Sequence, residues 1–494
     1  MLPLVCNLPM ICLLLSMTVG ILTALVRNGR RAFFLTAALL VAVTAASAAV
    51  LVYTWNTGES FTYTLGLYPT PVGIELRAGV LEGLLATCFP VVMLLSILGG
   101  YRDICQDVPA GKQSYYFLML DLLLATLLGL IYTNDLFTAF VFLEVSTIAG
   151  SCIILSRETG ETILASIRYI IFSTLGSGVF LLGLAILYQC TGHLHMDTLH
   201  TMIQLHQRRG EYLLPLMMSF GLLLAGLAFR SALFPFHGWL PGSRGSSTTA
   251  SSALLSSLFL KGFAVMTLKV ILRVFSLESA AEYRITDMLF LLGLVGMVFG
   301  SVRALMQKDA KRMAAYSTVA QMGYVYLGIG LGSAVGIAAA VYHILVHAFT
   351  KAMLFTSIGA LSGTAHHSKR WADLRGSGRA RPLAGAAFTL AALSLCGVPV
   401  LAGFGGKYVL SAAAFGVPGR TAVTLAVLVV SALLNALYFL PAVINIWSPS
   451  ERVETVPRDG CYGVSALCFL GCNLVLGVGF VPLTRLIETG ISMF

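Results

Sequence analysis

The chain has 494 residues, of which 57% are hydrophobic and only 11% are Asp, Glu, Lys or Arg, with a mean hydropathy of +0.88. A water-soluble domain carries about 25% charged residues, so this composition excludes a soluble protein and describes an integral membrane one, with the bilayer as solvent. The net charge of +10 raises nucleic acid as a partner, but the loops account for it.

Apolar runs of about 20 residues, the length that crosses a hydrocarbon core as a helix, recur from end to end. Spans are expected at 3–26, 32–54, 78–99, 115–133, 135–155, 163–190, 213–240, 247–275, 286–306, 314–332, 333–361, 383–415, 421–446 and 461–486. That is an all-α integral membrane fold of about 14 transmembrane helices. The first span has little positive charge before it, so it reads as a retained helix and not a cleaved signal. The expected units are an N-terminal three-helix segment (1–114), a first five-helix repeat (115–275), a second (286–446) and a C-terminal helix (447–494).

Basic residues separate by side. Connections after odd-numbered spans hold Arg27, Arg30, Arg31, Arg102, Lys112, Lys308, Lys311, Arg312, Lys369, Arg370, Arg375, Arg379, Arg381, Arg452 and Arg458. The other side holds mainly Arg77, Arg208, Arg209, Arg284 and Arg420. By the positive-inside rule the first set is cytoplasmic and both termini lie outside the cell's inner (plasma) membrane. The surplus charge is topology, with no nucleic acid as partner. The ten cysteines lack ligand spacing for a metal or cluster, and Cys468 and Cys472 share a face of the last span as small packing residues. No metal and no cofactor is expected.

Charges at membrane depth are costly, at least roughly 2.5–3.5 kcal/mol each, and usually face a protein interior or a water-filled path. Of the charges that carry the argument, Glu144 comes first in the chain, about nine residues into the fifth span. A nearby cation would hold it ionised, and a partner that comes and goes would make it a switch; the alternative is a static ion pair with Arg230. The tract of His193, His195, His200 and His206 resembles a metal-rich segment, yet its spacing suits a short amphipathic surface helix.

Arg230 lies in the seventh span five residues before Pro235, with His237 just beyond, in Phe229-Arg-Ser-Ala-Leu-Phe-Pro-Phe-His-Gly-Trp-Leu-Pro241. Arginine does not lose its proton, so Arg230 reads as a fixed charge; lysine is the cation that exchanges a proton when desolvated, and Lys261 is central to the eighth span. His343, His347 and Lys351 recur every four residues in the eleventh span, which stacks them on one helix face about 6 Å apart. Imidazole titrates near neutral pH, so this is either a relay or a set of polar groups bonding across helices. Lys407 follows the breakers Pro399, Gly403, Gly405 and Gly406 in the twelfth span. Spans seven and twelve are therefore both broken beside a basic group. They are five spans apart and cross in opposite directions, as in inverted repeats whose broken helices meet at the midplane.

At these residues the chain resembles the antiporter-like membrane subunits shared by respiratory complex I, membrane-bound hydrogenases and Mrp-type multisubunit cation/proton antiporters, closest in wording to the Mrp D subunit and its hydrogenase counterparts. The resemblance covers roughly 60–415. It rests on Asn134-Asp-Leu-Phe through Phe142-Leu-Glu144, Thr191-Gly-His-Leu-His-Met-Asp197, Pro235-Phe-His-Gly-Trp-Leu-Pro241, Lys311-Arg-Met-Ala-Ala-Tyr-Ser-Thr-Val-Ala-Gln-Met-Gly-Tyr324, His343 to Lys351, and Gly403-Phe-Gly-Gly-Lys407. It implies two inverted five-helix bundles and a charged axis at mid-depth. Glu144 would be the fifth-helix acid, Lys261 the eighth-helix lysine, Lys407 the twelfth-helix cation, and His343, His347 and Lys351 the relay. The chain departs from the family pattern at Arg230, where lysine is usual, at Gly242, where an acid usually follows Trp-Leu-Pro, and across Ser246–Ser252.

The expected function is proton translocation, or cation/proton exchange, by a subunit of a larger respiratory, hydrogenase or antiporter complex. Its path would be Glu144, Arg230, Lys261, His343, His347, Lys351 and Lys407, with Pro235, His237, Pro399 and Gly403 as broken-helix elements. No chemistry is expected in the chain itself; the whole complex would be a redox-driven oxidoreductase of NADH-quinone or hydrogenase type, or an antiporter. Partners would be other membrane subunits, homologous antiporter-like ones among them, the lipid bilayer, and protons with sodium as a second ion. The rival reading is a structural subunit that buttresses such a complex without conducting.

Overall fold

The computed structural model describes residues 4–65, 68, 73–450 and 459–494; Arg452 and Arg458 of the basic-loop set lie outside them. Among the described residues, eleven helices are long and apolar enough to cross a membrane, from Leu4–Leu25 to Gly460–Val478. Their outer surfaces are apolar: Ile163, Leu164, Ile167, Ile171 and Leu175 all stand exposed on helix Gly160–Thr191. So many large aliphatic side chains on one rod suit a hydrocarbon solvent and not water.

The other expected spans are present in altered form. The run 247–275 is helix Thr249–Leu254, a wide π-helical stretch Leu255–Phe259, helix Leu260–Lys269 and a second π stretch Val270–Phe275. The span expected at 314–332 is helix Ala310–Gly330, which starts at an Asp309 cap. Beside it, helix Ala334–Ser362 is enclosed on every side along its apolar window, which buries His343, His347 and Lys351 in the protein interior.

Both interruptions expected from proline and glycine are real. The seventh span does not run to 240: the helix stops at Ser231, Ala232 is left-handed (φ 54°), and a short helix resumes only at Leu240–Ser246. Pro235 has no N–H to continue the ladder. The twelfth is helix Pro382–Cys396, a left-handed Gly397 (φ 93°) and a restart at Ala402–Phe415. The two pieces touch so closely that a Cβ on Gly403 would lie 1.8 Å from the Ser394 carbonyl oxygen, which is why glycine stands there.

Two features differ from the sequence expectation, and a third agrees with it. The connection 55–77 contains an antiparallel hairpin, strands Phe61–Thr64 and Glu75–Ala78, paired Phe61 to Ala78 and Thr64 to Glu75. The last span, expected at 461–486, ends at Val478, and after Gly479 a separate amphipathic helix Phe480–Ser492 turns away. The histidine tract forms helix Met196–Arg209, the amphipathic element expected. Both described ends sit by the hairpin: Leu4–Asn7 packs on its first strand, and Arg77 donates to the Met493 carbonyl at 2.6 Å. We call this the hairpin face and the opposite one the basic-loop face.

Candidate functional site

Arg230, at the end of its helix, points into the protein with no solvent exposure of its side chain. Its Nη2 donates to Glu144 Oε1 at 2.8 Å and also reaches Ser177, its Nη1 donates to the Leu143 carbonyl at 2.7 Å, and the guanidinium lies 5.6 Å from the Phe263 ring centre. The expected pair therefore exists. Glu144 differs from its partner in being 38% exposed, on the face of helix Leu136–Leu155 that also presents Val141 and Ile148. Farther in, Arg244 is fully buried, donates from Nη2 to the Leu255 carbonyl at 3.0 Å and lies 5.3 Å from the Trp239 ring.

Lys261 is fully buried and donates to the Ser256 carbonyl. Arg244 and Lys261 thus hold consecutive carbonyls of one π-helical turn. Such a turn shifts the backbone bonding pattern and frees carbonyls that an ordinary helix would consume. His347 and Lys351 follow on the enclosed helix; Lys261, Lys351 and His343 are the charges that reach His347, and neither of its ring nitrogens bonds a protein group. The His343 and His347 rings lie parallel, 6.2 Å apart, and His343 Nε2 meets Gln321 Oε1 at 3.0 Å. Lys351 donates to the Ala314 carbonyl at 3.0 Å.

The line ends at the second break. Lys407 donates to the carbonyls of Leu395 (3.0 Å) and Cys396 (2.7 Å), and its Nζ lies 5.7 Å from the Tyr324 ring. These are the free C-terminal carbonyls of helix Pro382–Cys396, where the helix dipole favours a cation. Gly406 packs against His343 Nδ1, so the restart of the broken helix touches that histidine. A hydroxyl bridge joins helices Leu213–Ser231, Leu260–Lys269 and Ala310–Gly330: Ser231 Oγ and Tyr326 Oη are 2.6 Å apart, and Thr267 Oγ1 is 3.4 Å from the same phenol.

Not every expected residue joins this line. His237 packs on Phe234 and Phe299, with Arg303 as the charge that reaches it. Pro235 and Pro399 are exposed at the rims of the breaks. Conversely, four buried cations escaped the sequence reading. Lys269 stands eight residues past Lys261 in the same apolar run and Arg244 lies just beyond Trp239; both were visible as charges within apolar segments. Arg273 is nearly buried in the second π stretch. Lys311 is fully buried and donates to the Ser247 carbonyl, but in sequence it is one loop cation among many.

On the hairpin face, Glu75, His195 and Asp197 bring one ligand atom each within 4.8 Å of one another. The Asn134 amide nitrogen fills their centre, 2.7 Å from Glu75, 3.0 Å from His195 and 2.9 Å from Asp197 Oδ2. Arg273 (2.8 Å) and Arg77 (3.5 Å) hold Asp197 Oδ1. The donor set that could take a metal is thus occupied as a hydrogen-bonded network. Burial pushes both carboxyls up, but His195 and Asn134 outweigh it at Glu75, and Arg273 with Asn134 outweighs it at Asp197, leaving both below the usual carboxylate range.

These features define a multi-span membrane protein with an intramembrane line of ionisable groups running from one broken helix to the other. The chain belongs to the NADH:quinone oxidoreductase/Mrp antiporter transmembrane family, whose model matches residues 133–434. It is 33% identical to the NADH-quinone oxidoreductase N subunit of Desulforudis audaxviator, over 97% of this chain and 95% of that one. It is also 29% identical to the D subunit of the Na(+)/H(+) antiporter of Bacillus subtilis, over 87% and 85%. Among solved structures it superposes on a chain of the membrane-bound sulfane sulfur reductase, an archaeal respiratory membrane complex, with a TM-score of 0.88, 26% identity and coverage of 99% and 96%.

Proposed function

We propose that the chain moves protons, or exchanges a cation for protons, as one subunit of a multisubunit complex of the plasma membrane. The path is Glu144, Arg230, Lys261, Lys351, His347, His343 and Lys407, set in two inverted repeats at 115–275 and 286–446. The basic-loop face is cytoplasmic and both termini are outside. The observation that carries this reading is the mid-depth line itself: buried cations held by neutral carbonyls, joined through His347, neither of whose ring nitrogens bonds a protein group, and through His343, whose Nε2 meets Gln321 while its Nδ1 bonds no protein group. A buttressing subunit has no use for such groups, because buried charge weakens a membrane core unless it acts.

Glu144 supports a partner. Its side chain is 38% exposed at membrane depth beside Val141 and Ile148, where lipid would penalise a carboxylate; a neighbouring membrane subunit carrying its own polar group suits that face. The test is proton flux in vesicles holding the complete complex, with Glu144→Gln. Loss of flux at unchanged complex abundance supports the reading, full flux removes Glu144 from the path, and loss of the complex favours the buttressing role.

A further inference from the structure

Lys269 ends the helix that carries Lys261, about 12 Å further toward the hairpin face by helical rise. It is fully buried, and its Nζ donates only to backbone: the carbonyls of Ile131 and, at 2.8 Å, Thr133. The charged groups that reach it are Glu82, Arg273 and Arg77. Glu82 is itself nearly buried and uses Oε2 to accept from the Gly79 amide at 3.0 Å. Lys269 therefore has the surroundings of Lys261 and Lys407: an ammonium out of water, held by neutral carbonyls, on a residue type able to exchange its proton.

Thr133, which Lys269 holds, is followed by Asn134, the centre of the Glu75, His195 and Asp197 network. The Asn134 amide nitrogen has two hydrogens but three acceptors at 3.0 Å or less. His195 Nε2 also lies 3.2 Å from Glu75 Oε1. Unprotonated, Nε2 accepts from Asn134; protonated, it donates to Glu75. The network can therefore gain or lose one proton by exchanging bonds without moving its backbone, and Asp197, 48% exposed, opens it to solution.

We propose that the first half of the chain has its own exit on the hairpin face, running from Lys261 to Lys269 and then through Glu75 and His195 to water beside Asp197. The ammonium of Lys269 gives its proton, through intervening water and not by direct contact, to the Glu75 carboxylate or the His195 imidazole, leaving a neutral amine. Lys261 recharges that amine and is itself reprotonated from the path proposed above, and the network releases the proton to solution. One proton crosses, and each group returns to its starting state. The inference rests on the proton-moving reading above. The competing role is structural, since an ammonium on the last carbonyls of helix Gln113–Tyr132 is also a helix cap.

The test uses the complete complex in vesicles, measuring proton flux against pH on the hairpin side for the parent, Lys269→Arg, Glu75→Gln and Lys407→Ala. Arginine keeps the cation and the cap but does not release a proton. The expected result is at least about a tenfold loss of flux in Lys269→Arg at parent abundance, with a displaced hairpin-side pH profile in Glu75→Gln. Parent flux in Lys269→Arg, with Lys407→Ala inactive, makes Lys269 a cap and overturns the exit alone. Parent flux in both overturns the underlying reading. If Lys269→Arg does not assemble, Glu75→Gln decides: a displaced profile supports the exit and an unchanged one overturns it.

Discussion

Arg230 keeps its charge whatever its neighbours do, and three of its contacts, to Leu143, Glu144 and Ser177, come from two other helices. What can change at this position is Glu144, which is partly exposed. Arg230→Lys is expected to keep flux near the parent level, because the cation remains. Arg230→Ala should lower it by at least about tenfold, equivalent to ~1.4 kcal/mol of barrier. Equal flux in Arg230→Ala would detach the residue from the path. Glu144→Gln is expected to cost less than the roughly 3–5 kcal/mol of a broken buried pair, since Arg230 retains the Leu143 carbonyl and Ser177; parallel thermal unfolding of the purified complex checks it.

The hairpin-face carboxylates give a residue-scale pH dependence. Glu75 and Asp197 titrate below their usual range, so their contribution is fully present above the unfolded values of about 4 and is lost as pH falls through the lower folded values. Limited proteolysis of the 191–212 segment is therefore expected to accelerate below about pH 4 and to be flat from about pH 5 to 8. Asn134→Ala, which removes the shared donor, should move the onset upward. An onset unchanged in that variant would mean the network does not hold the segment.

At the scale of elements, the breaks help decide where charge sits: the second exposes the helix-end carbonyls of Leu395 and Cys396 that hold Lys407, and the first ends the helix just past Arg230. Gly403→Ala would put a methyl group 1.8 Å from the Ser394 carbonyl and is expected to destabilise by at least about 1–3 kcal/mol, while Gly178→Ala, with open space around it, should be neutral. Equal thermal midpoints for the two would show that the twelfth helix can re-form its break elsewhere. Both breaks were legible in the sequence because proline and glycine interrupt runs that are otherwise uniformly apolar. Their extent was not: the stop at Ser231 depends on Ala232 adopting a left-handed backbone, which no residue type at 232 announces. The π-helical stretches 255–259 and 270–275 were equally hidden, since their residues are ordinary helix formers. The hairpin 61–78 escaped because its strands are four residues long and lie between two dominating spans. In the site, Glu144, Lys261 and Lys407 stood out as charges within apolar runs, whereas Glu75, Asp197 and Lys311 lie near loops, where charge is the rule and burial is decided by tertiary packing.

For the whole molecule, the proposal that this chain works beside others rests on the partly exposed Glu144 and on relatives that are subunits of multisubunit complexes. Purified alone into liposomes, it is expected to give no gradient-driven proton flux, and a robust flux would make it an independent transporter. Val141→Cys or Ile148→Cys, one turn on either side of Glu144, should cross-link to a neighbouring subunit in the assembled complex. Cross-linking to none would leave that face to lipid and remove the reason for its carboxylate.

The central claim is that proton exchange along the mid-depth line carries transport, and Lys407 tests it most directly because arginine can replace its charge but not its chemistry. Proton flux is measured in vesicles with the complete complex for the parent, Lys407→Ala and Lys407→Arg at matched abundance. The expected result is loss of flux in both variants, with Lys407→Arg assembling as the parent does. Normal flux in Lys407→Arg would contradict the claim, since a permanent cation at that site would then suffice.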